Sequence, residues 1–89
     1  LANSPQARKR ALQNEKRRAL HASQRSMVRS SIKKVVSAIE AKNVEAARSA
    51  YKAMVPLLDR YAGRGLIHKN KAARHKHRLQ KHIRELESA

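Results

Sequence analysis

Helix breakers are nearly absent from this chain: its 89 residues hold two prolines, Pro5 and Pro56, and two glycines, Gly63 and Gly65. Sheets need frequent turns, and turns draw on these residues, so so few of them restrict the chain to long uninterrupted elements. Ala, Leu, Lys, Arg, Gln and Glu fill the intervals, and all of them favour helix. The expected fold class is therefore all-α, in one small domain, because 89 residues leave no room for two.

The few breakers divide the chain into three helical stretches. Ser4 offers a side-chain acceptor at an N-cap, and Pro5 stands at the first helical position, where its missing N–H costs nothing. Nothing interrupts the pattern until Lys42-Asn43, so helix one is expected over residues 5–41, roughly 50 Å long and longer than so small a bundle needs. Part of it should project. Asn43 is also a good N-cap for helix two, expected over 44–62, with Glu45 near its positive end. Gly63-Arg64-Gly65 supplies the next stop, and helix three is expected over 67–87. Pro56 falls deep inside helix two, which predicts a kink and a lost bond to the Lys52 carbonyl; the alternative is a break at Val55.

Apolar residues recur at helical spacing on part of each stretch. Helix one has Val28, Ile32, Val35 or Val36, and Ile39, but before Leu20 it offers mainly alanines among cations. Helix two continues with Val44, Ala47, Tyr51, Met54 or Val55, Leu58, and Tyr61 or Ala62. Helix three adds Ala72, Leu79, Ile83 and Leu86. Three stripes and short connections predict an antiparallel three-helix bundle, with the first helix overhanging one end.

Charge then narrows the function. The 22 Lys and Arg against 6 Asp and Glu leave a formal charge of +16, which points to a polyanionic partner. Residues 1–39 carry ten cations and one acid, residues 40–62 four against three, and residues 63–89 eight against two. Helices one and three are thus the expected binding elements, and helix two their scaffold. In helix one the cations form clusters: Arg8-Lys9-Arg10, Lys16-Arg17-Arg18, then Arg25, Arg29, Lys33 and Lys34. Adjacent residues lie about 100° apart on a helix, so these clusters meet phosphate on several sides, as in a groove or a junction between nucleic-acid helices. The alternative is a solvated charge run that orders only on binding. In helix three, Lys71, Arg74, His75, Arg78, Lys81 and His82 form one basic stripe, expected opposite Leu79, Ile83 and Leu86 and suited to a phosphate backbone. Ser23, Ser26, Ser30 and Ser31 offer small hydroxyl donors between the cations of helix one.

Other chemistries find little footing. With no Phe or Trp, and only Tyr51 and Tyr61, the chain lacks the rings on which single-strand binders stack bases. His75 and His77 fall on different faces, and no Cys or neighbouring Asp completes a metal set. The one Asp, Asp59, has no histidine partner placed by the sequence, and no phosphate-loop or dinucleotide motif occurs. No enzyme activity, cofactor, metal or small-molecule substrate is expected. No apolar run approaches a membrane span, and the N-terminal residues lack a secretory pattern, so the expectation is a soluble intracellular protein. A nucleoid-type DNA binder would more often show a wedge residue or recognition helix, and a membrane-active cationic peptide a bulky apolar face.

Lys9-Arg10-Ala11, Glu15-Lys16-Arg17-Arg18, Arg25-Ser26-Met27-Val28-Arg29 and above all the stretch from Gly65 to Lys76, followed by Arg78-Leu79, resemble the family of the bacterial small-subunit ribosomal protein numbered twenty. The likeness covers nearly the whole chain, including Pro56-x-x-Asp59 and Ala38-Ile39-Glu40. It departs at His21, where Asn is usual, and at His77, where Ser or Ala is commoner. The resemblance implies a three-helix bundle that binds 16S ribosomal RNA directly and early in assembly. It implies a place low in the body of the small subunit, among its other components, bridging the 5′ domain and the long penultimate stem. The expected rRNA-binding residues are Lys9, Arg10, Lys16, Arg17, Arg18, Arg25, Ser26, Arg29 and Lys33 on helix one. On helix three they are His68, Lys69, Asn70, Lys71, Arg74, His75, Lys76 and Arg78.

Overall fold

A computed structural model describes residues 4–89 as three helices in the order α1 (Pro5–Glu40), α2 (Val44–Gly63) and α3 (Lys69–Ser88), with no strand among them. Each helix begins on a side-chain cap. The Ser4 hydroxyl oxygen accepts from the Ala7 N–H at 3.1 Å, with Pro5 at the first helical position. Asn43 Oδ1 accepts from the Ala46 N–H at 3.1 Å, and His68 Nδ1 accepts from the Asn70 N–H at 3.0 Å. These bonds satisfy backbone donors that no helical carbonyl reaches.

Both turns close in the same way. After α1, the Asn43 N–H donates to the Ala38 carbonyl and the Lys42 N–H to the Ile39 carbonyl, each at 3.0 Å, with Lys42 in the left-handed region at φ 57°. After α2, the Leu66 N–H reaches the Tyr61 carbonyl at 2.9 Å and the Gly65 N–H the Ala62 carbonyl at 3.1 Å, with Gly65 at φ 79°. This double bond pattern is the Schellman motif. Gly65 is thus the left-handed stop, while Gly63 is the last helical residue of α2, one position beyond the expected end. α2 runs through Pro56 without a break, so the alternative stop at Val55 does not form. Pro56 and Lys52 are both exposed, which leaves water to satisfy the Lys52 carbonyl that the proline cannot.

The core is assembled from all three helices. α1 contributes Val28 and Val35, α2 contributes Ala47, Met54, Leu58 and Tyr61, and α3 contributes Ala72, Leu79 and Ile83. Met54, Leu58 and Val35 are the largest fully enclosed side chains. Every buried residue of α1 lies at or beyond Val28, so its first half extends past the bundle and the molecule measures 64 × 22 × 17 Å. Seven-residue steps back from buried Ser31 along one helical face reach Gln24, Arg17 and Arg10. The line that is core within the bundle becomes polar and then cationic beyond it, while Leu12, Leu20 and Met27 are exposed elsewhere on α1.

Ser31 departs from the hydroxyl-donor role expected of it. It is buried at 9% exposure, and its hydroxyl donates to the Val28 carbonyl at 2.7 Å within α1. The small side chain lies between two valines of the inner face, where a charged or bulky group would not fit.

Candidate nucleic-acid interface

Polar contacts between helices are concentrated on one side of the bundle. Lys76 Nζ donates to Asp59 Oδ1 at 2.7 Å, Arg48 Nε donates to Glu87 Oε1 at 2.7 Å, and the Tyr51 hydroxyl donates to the Lys76 carbonyl at 3.2 Å. Among the described residues, these are the side-chain hydrogen bonds that join one helix to another, and all three join α2 to α3. The carboxylate of Glu87 is held below its ordinary range by its bond to Arg48, and the guanidinium of Arg48 is raised by the same bond. Lys76 therefore faces the scaffold helix. Lys71, Arg74 and Arg78 do not line that seam and border the depressions described next.

The seam between α1 and α3 has the opposite character. These two helices meet less than the other pairs do. A groove of about 450 Å³ opens between them, with Arg25 and Arg29 on one wall, His68, Lys71 and His75 on the other, and Val28, Ile32, Leu58, Leu66 and Ile67 beneath. A second depression of about 400 Å³ runs over the first turns of α3, among His68, Asn70, Lys71, Arg74, His75 and Arg78. No acid lines either one. The structure thus gathers eight of the expected residues from two helices into one continuous cationic surface.

The histidines occupy different positions from those a single outward stripe implies. His75 is half-buried at the α1–α3 seam rather than opposite the core, and His82 lines the same seam one step further on, beside Ile32, Val36 and Leu79. Burial, first, and then Lys71, Arg78 and Arg74 push the His75 imidazole below its ordinary value of 6.5. It is consequently a neutral hydrogen-bonding group at physiological pH, set among fixed cations. His68 caps α3 through Nδ1, which places the proton of the neutral ring on Nε2. Among the described residues, no group of three or more His, Asp or Glu side chains is arranged to hold a metal ion.

On the projecting half of α1, Lys9, Arg10, Lys16, Arg17 and Arg18 are all exposed and surround the helix. Ser26 and Lys33 on α1 and Lys69 on α3 are exposed outside the two depressions. Where α1 leaves the bundle, a further hollow of about 320 Å³ is lined by Leu20, His21, Gln24, Arg25, Arg64 and the α2–α3 turn. Arg64 and His21 thereby join the basic surface. Arg64 lies 5.9 Å from the centre of the Tyr61 ring, which holds the guanidinium beside the turn. Its position between two glycines, in a turn that must pass close to α1, was the available signal for it.

The geometry is that of a small helical scaffold displaying cations, and known sequences agree with it. The model of the family "Ribosomal protein S20" matches residues 2–84. Small ribosomal subunit protein bS20 of Stutzerimonas stutzeri is 62% identical over 89 residues, covering 100% of this chain and 97% of the relative. The bS20 of Teredinibacter turnerae is 64% identical over 86 residues, covering 97% of this chain and 98% of the relative. That of Pseudomonas aeruginosa (strain LESB58) is 60% identical over 89 residues, covering 100% and 98%. With the match running through all three helices, the chain belongs to the ribosomal protein S20 family, whose members are structural components of the small ribosomal subunit and not enzymes.

Proposed function

We propose that this small-subunit protein, at work in the cytoplasmic ribosome, binds 16S rRNA directly and holds RNA helices together early in assembly. The observation that carries this reading is the division of the bundle into two sides. The α2–α3 side pairs Lys76 and Arg48 with acids of the protein, whereas the two depressions on the α1–α3 side present Arg25, Arg29, Lys71, Arg74 and Arg78 with no acid lining them, Glu40 lying further along the seam.

Each cation set against a phosphate releases a condensed counterion, and several such contacts supply most of the affinity without reading sequence. The projecting half of α1 carries cations all round, so it enters between RNA helices and lowers their mutual repulsion. Lys9, Arg10, Lys16, Arg17 and Arg18 act there, Ser26 and Lys33 on the following turns, and His68, Lys69 and Asn70 at the start of α3. The bridge between the 5′ domain and the long penultimate stem is what the family resemblance implies, and two cationic helices on one scaffold suit it.

Footprinting on intact 16S rRNA at physiological salt, with duplex DNA as competitor, tests the reading. Protection confined to a few rRNA helices and resistant to the DNA is the expected result. Diffuse protection that the DNA abolishes would leave only a general polyanion binder.

A further inference from the structure

The α1–α3 groove has two chemistries that a sugar-phosphate backbone alone does not match. Its rim is cationic, through Arg25, Arg29 and Lys71, but its floor is aliphatic, through Val28, Ile32 and Ile67. A phosphate pressed onto that floor would lose water and gain no partner there. A wholly apolar occupant would strip water from the rim cations. An occupant that satisfies both carries a flat, weakly polar surface and an anion on the same unit. At about 450 Å³ the groove lies in the size range of ligand clefts.

We propose that this groove seats one unstacked nucleotide of the bound RNA, with its base on the aliphatic floor and its flanking phosphates on the rim. The proposal rests on the rRNA-binding reading and adds a base contact to it. Extruded bases are held between apolar side chains as well as aromatic ones, so the lack of Phe and Trp does not bar this seat. The rim also holds a group suited to a base edge. Arg25, Arg29 and Lys71 only donate hydrogen bonds, and His68 Nδ1 is already engaged by the Asn70 N–H. His75, kept neutral by its surroundings, has one nitrogen that accepts and one that donates. It can meet the exocyclic amine of a base, which the other rim groups would repel.

The test compares wild type with His75→Lys and Ile67→Trp on 16S rRNA, by base-specific methylation and by hydroxyl-radical cleavage, with helical content checked by circular dichroism. His75→Lys adds a cation and removes the acceptor, while Ile67→Trp fills the floor. The proposal expects one unpaired base to be shielded by wild type and exposed in both variants. It also expects affinity about tenfold weaker in each, the scale of one lost base contact. A backbone footprint with no shielded base, or tighter binding and a steeper salt dependence for His75→Lys, would overturn the nucleotide seat and leave rRNA binding intact. The absence of any footprint with wild type would remove both.

Discussion

The ammonium of Lys76 donates to Asp59 Oδ1 at 2.7 Å across the α2–α3 seam, while Lys71, little more than one turn earlier on α3, faces the groove shared with α1. Two lysines of one helix thus have separate tasks. Lys76→Ala is expected to leave rRNA affinity and its salt dependence nearly unchanged, and to cost the bundle less than about 1 kcal/mol, as for other partly exposed ion pairs. Lys71→Ala is expected to weaken rRNA binding. Filter binding across a salt series, beside urea denaturation, checks both.

Arg74→Ala and Arg17→Ala should each weaken binding to 16S rRNA and lower the slope of log K against log salt by about 0.7 to 0.9, one counterion apiece. The two lie on different helices, so their effects should add. Equal slopes for wild type and both variants would argue against this face.

The free protein should lose stability on acidification in two steps. The folded value of His75 is below 6.5, so the unfolded chain binds the extra proton first. Its contribution is fully present above about 6.5 and is lost as pH falls from there towards the folded value. Glu87 has a folded value below 4.5, so its contribution is present above that pH and is lost as pH falls through the folded value. Thermal melts from pH 7.5 downward should show both declines, and His75→Gln should remove the upper one.

Lys42 and Gly65 hold equivalent left-handed positions after α1 and α2, at φ 57° and 79°. A side chain is disfavoured there, so Lys42→Gly should stabilise the fold by about 1 kcal/mol and Gly65→Ala destabilise it by about as much. A Cβ on Gly65 meets nothing within 4 Å, which makes the second change a backbone effect without a clash. Urea midpoints report both.

Leu58→Ala removes a fully enclosed side chain and should cost about 2 to 5 kcal/mol, a large share of what a core of this size supplies. Leu12→Ala, at a position 60% exposed on the projecting half, should leave the unfolding midpoint nearly unchanged. Saturating rRNA should restore much of the Leu58→Ala loss, because the ligand binds only the folded state.

Local chemistry made most of the fold legible before any coordinates. Ser4-Pro5 and Asn43 cap helices where their side chains predict, and Val28, Ala47, Leu58, Tyr61, Leu79 and Ile83 are buried as their spacing implies. His68 is the cap that starts α3, at Lys69 rather than residue 67, because its ring nitrogen fixes the first turn. What the sequence concealed depends on relations between helices. Ser31 reads as polar until the crossing of α1 and α2 encloses it. Lys76 reads as one more cation until α2 brings Asp59 to it. Half-burial of His75 follows from where α1 passes, which no periodicity within α3 reveals.

The connections of Ala41–Asn43 and Arg64–His68 are short, and each is locked by its own backbone bonds, so every helix packs chiefly on its neighbour in sequence. Chains with such local contacts fold within microseconds to milliseconds. The bundle can therefore form before the RNA helices around it find their places. On the rRNA-binding reading, a transcript would meet a bundle whose core is already closed.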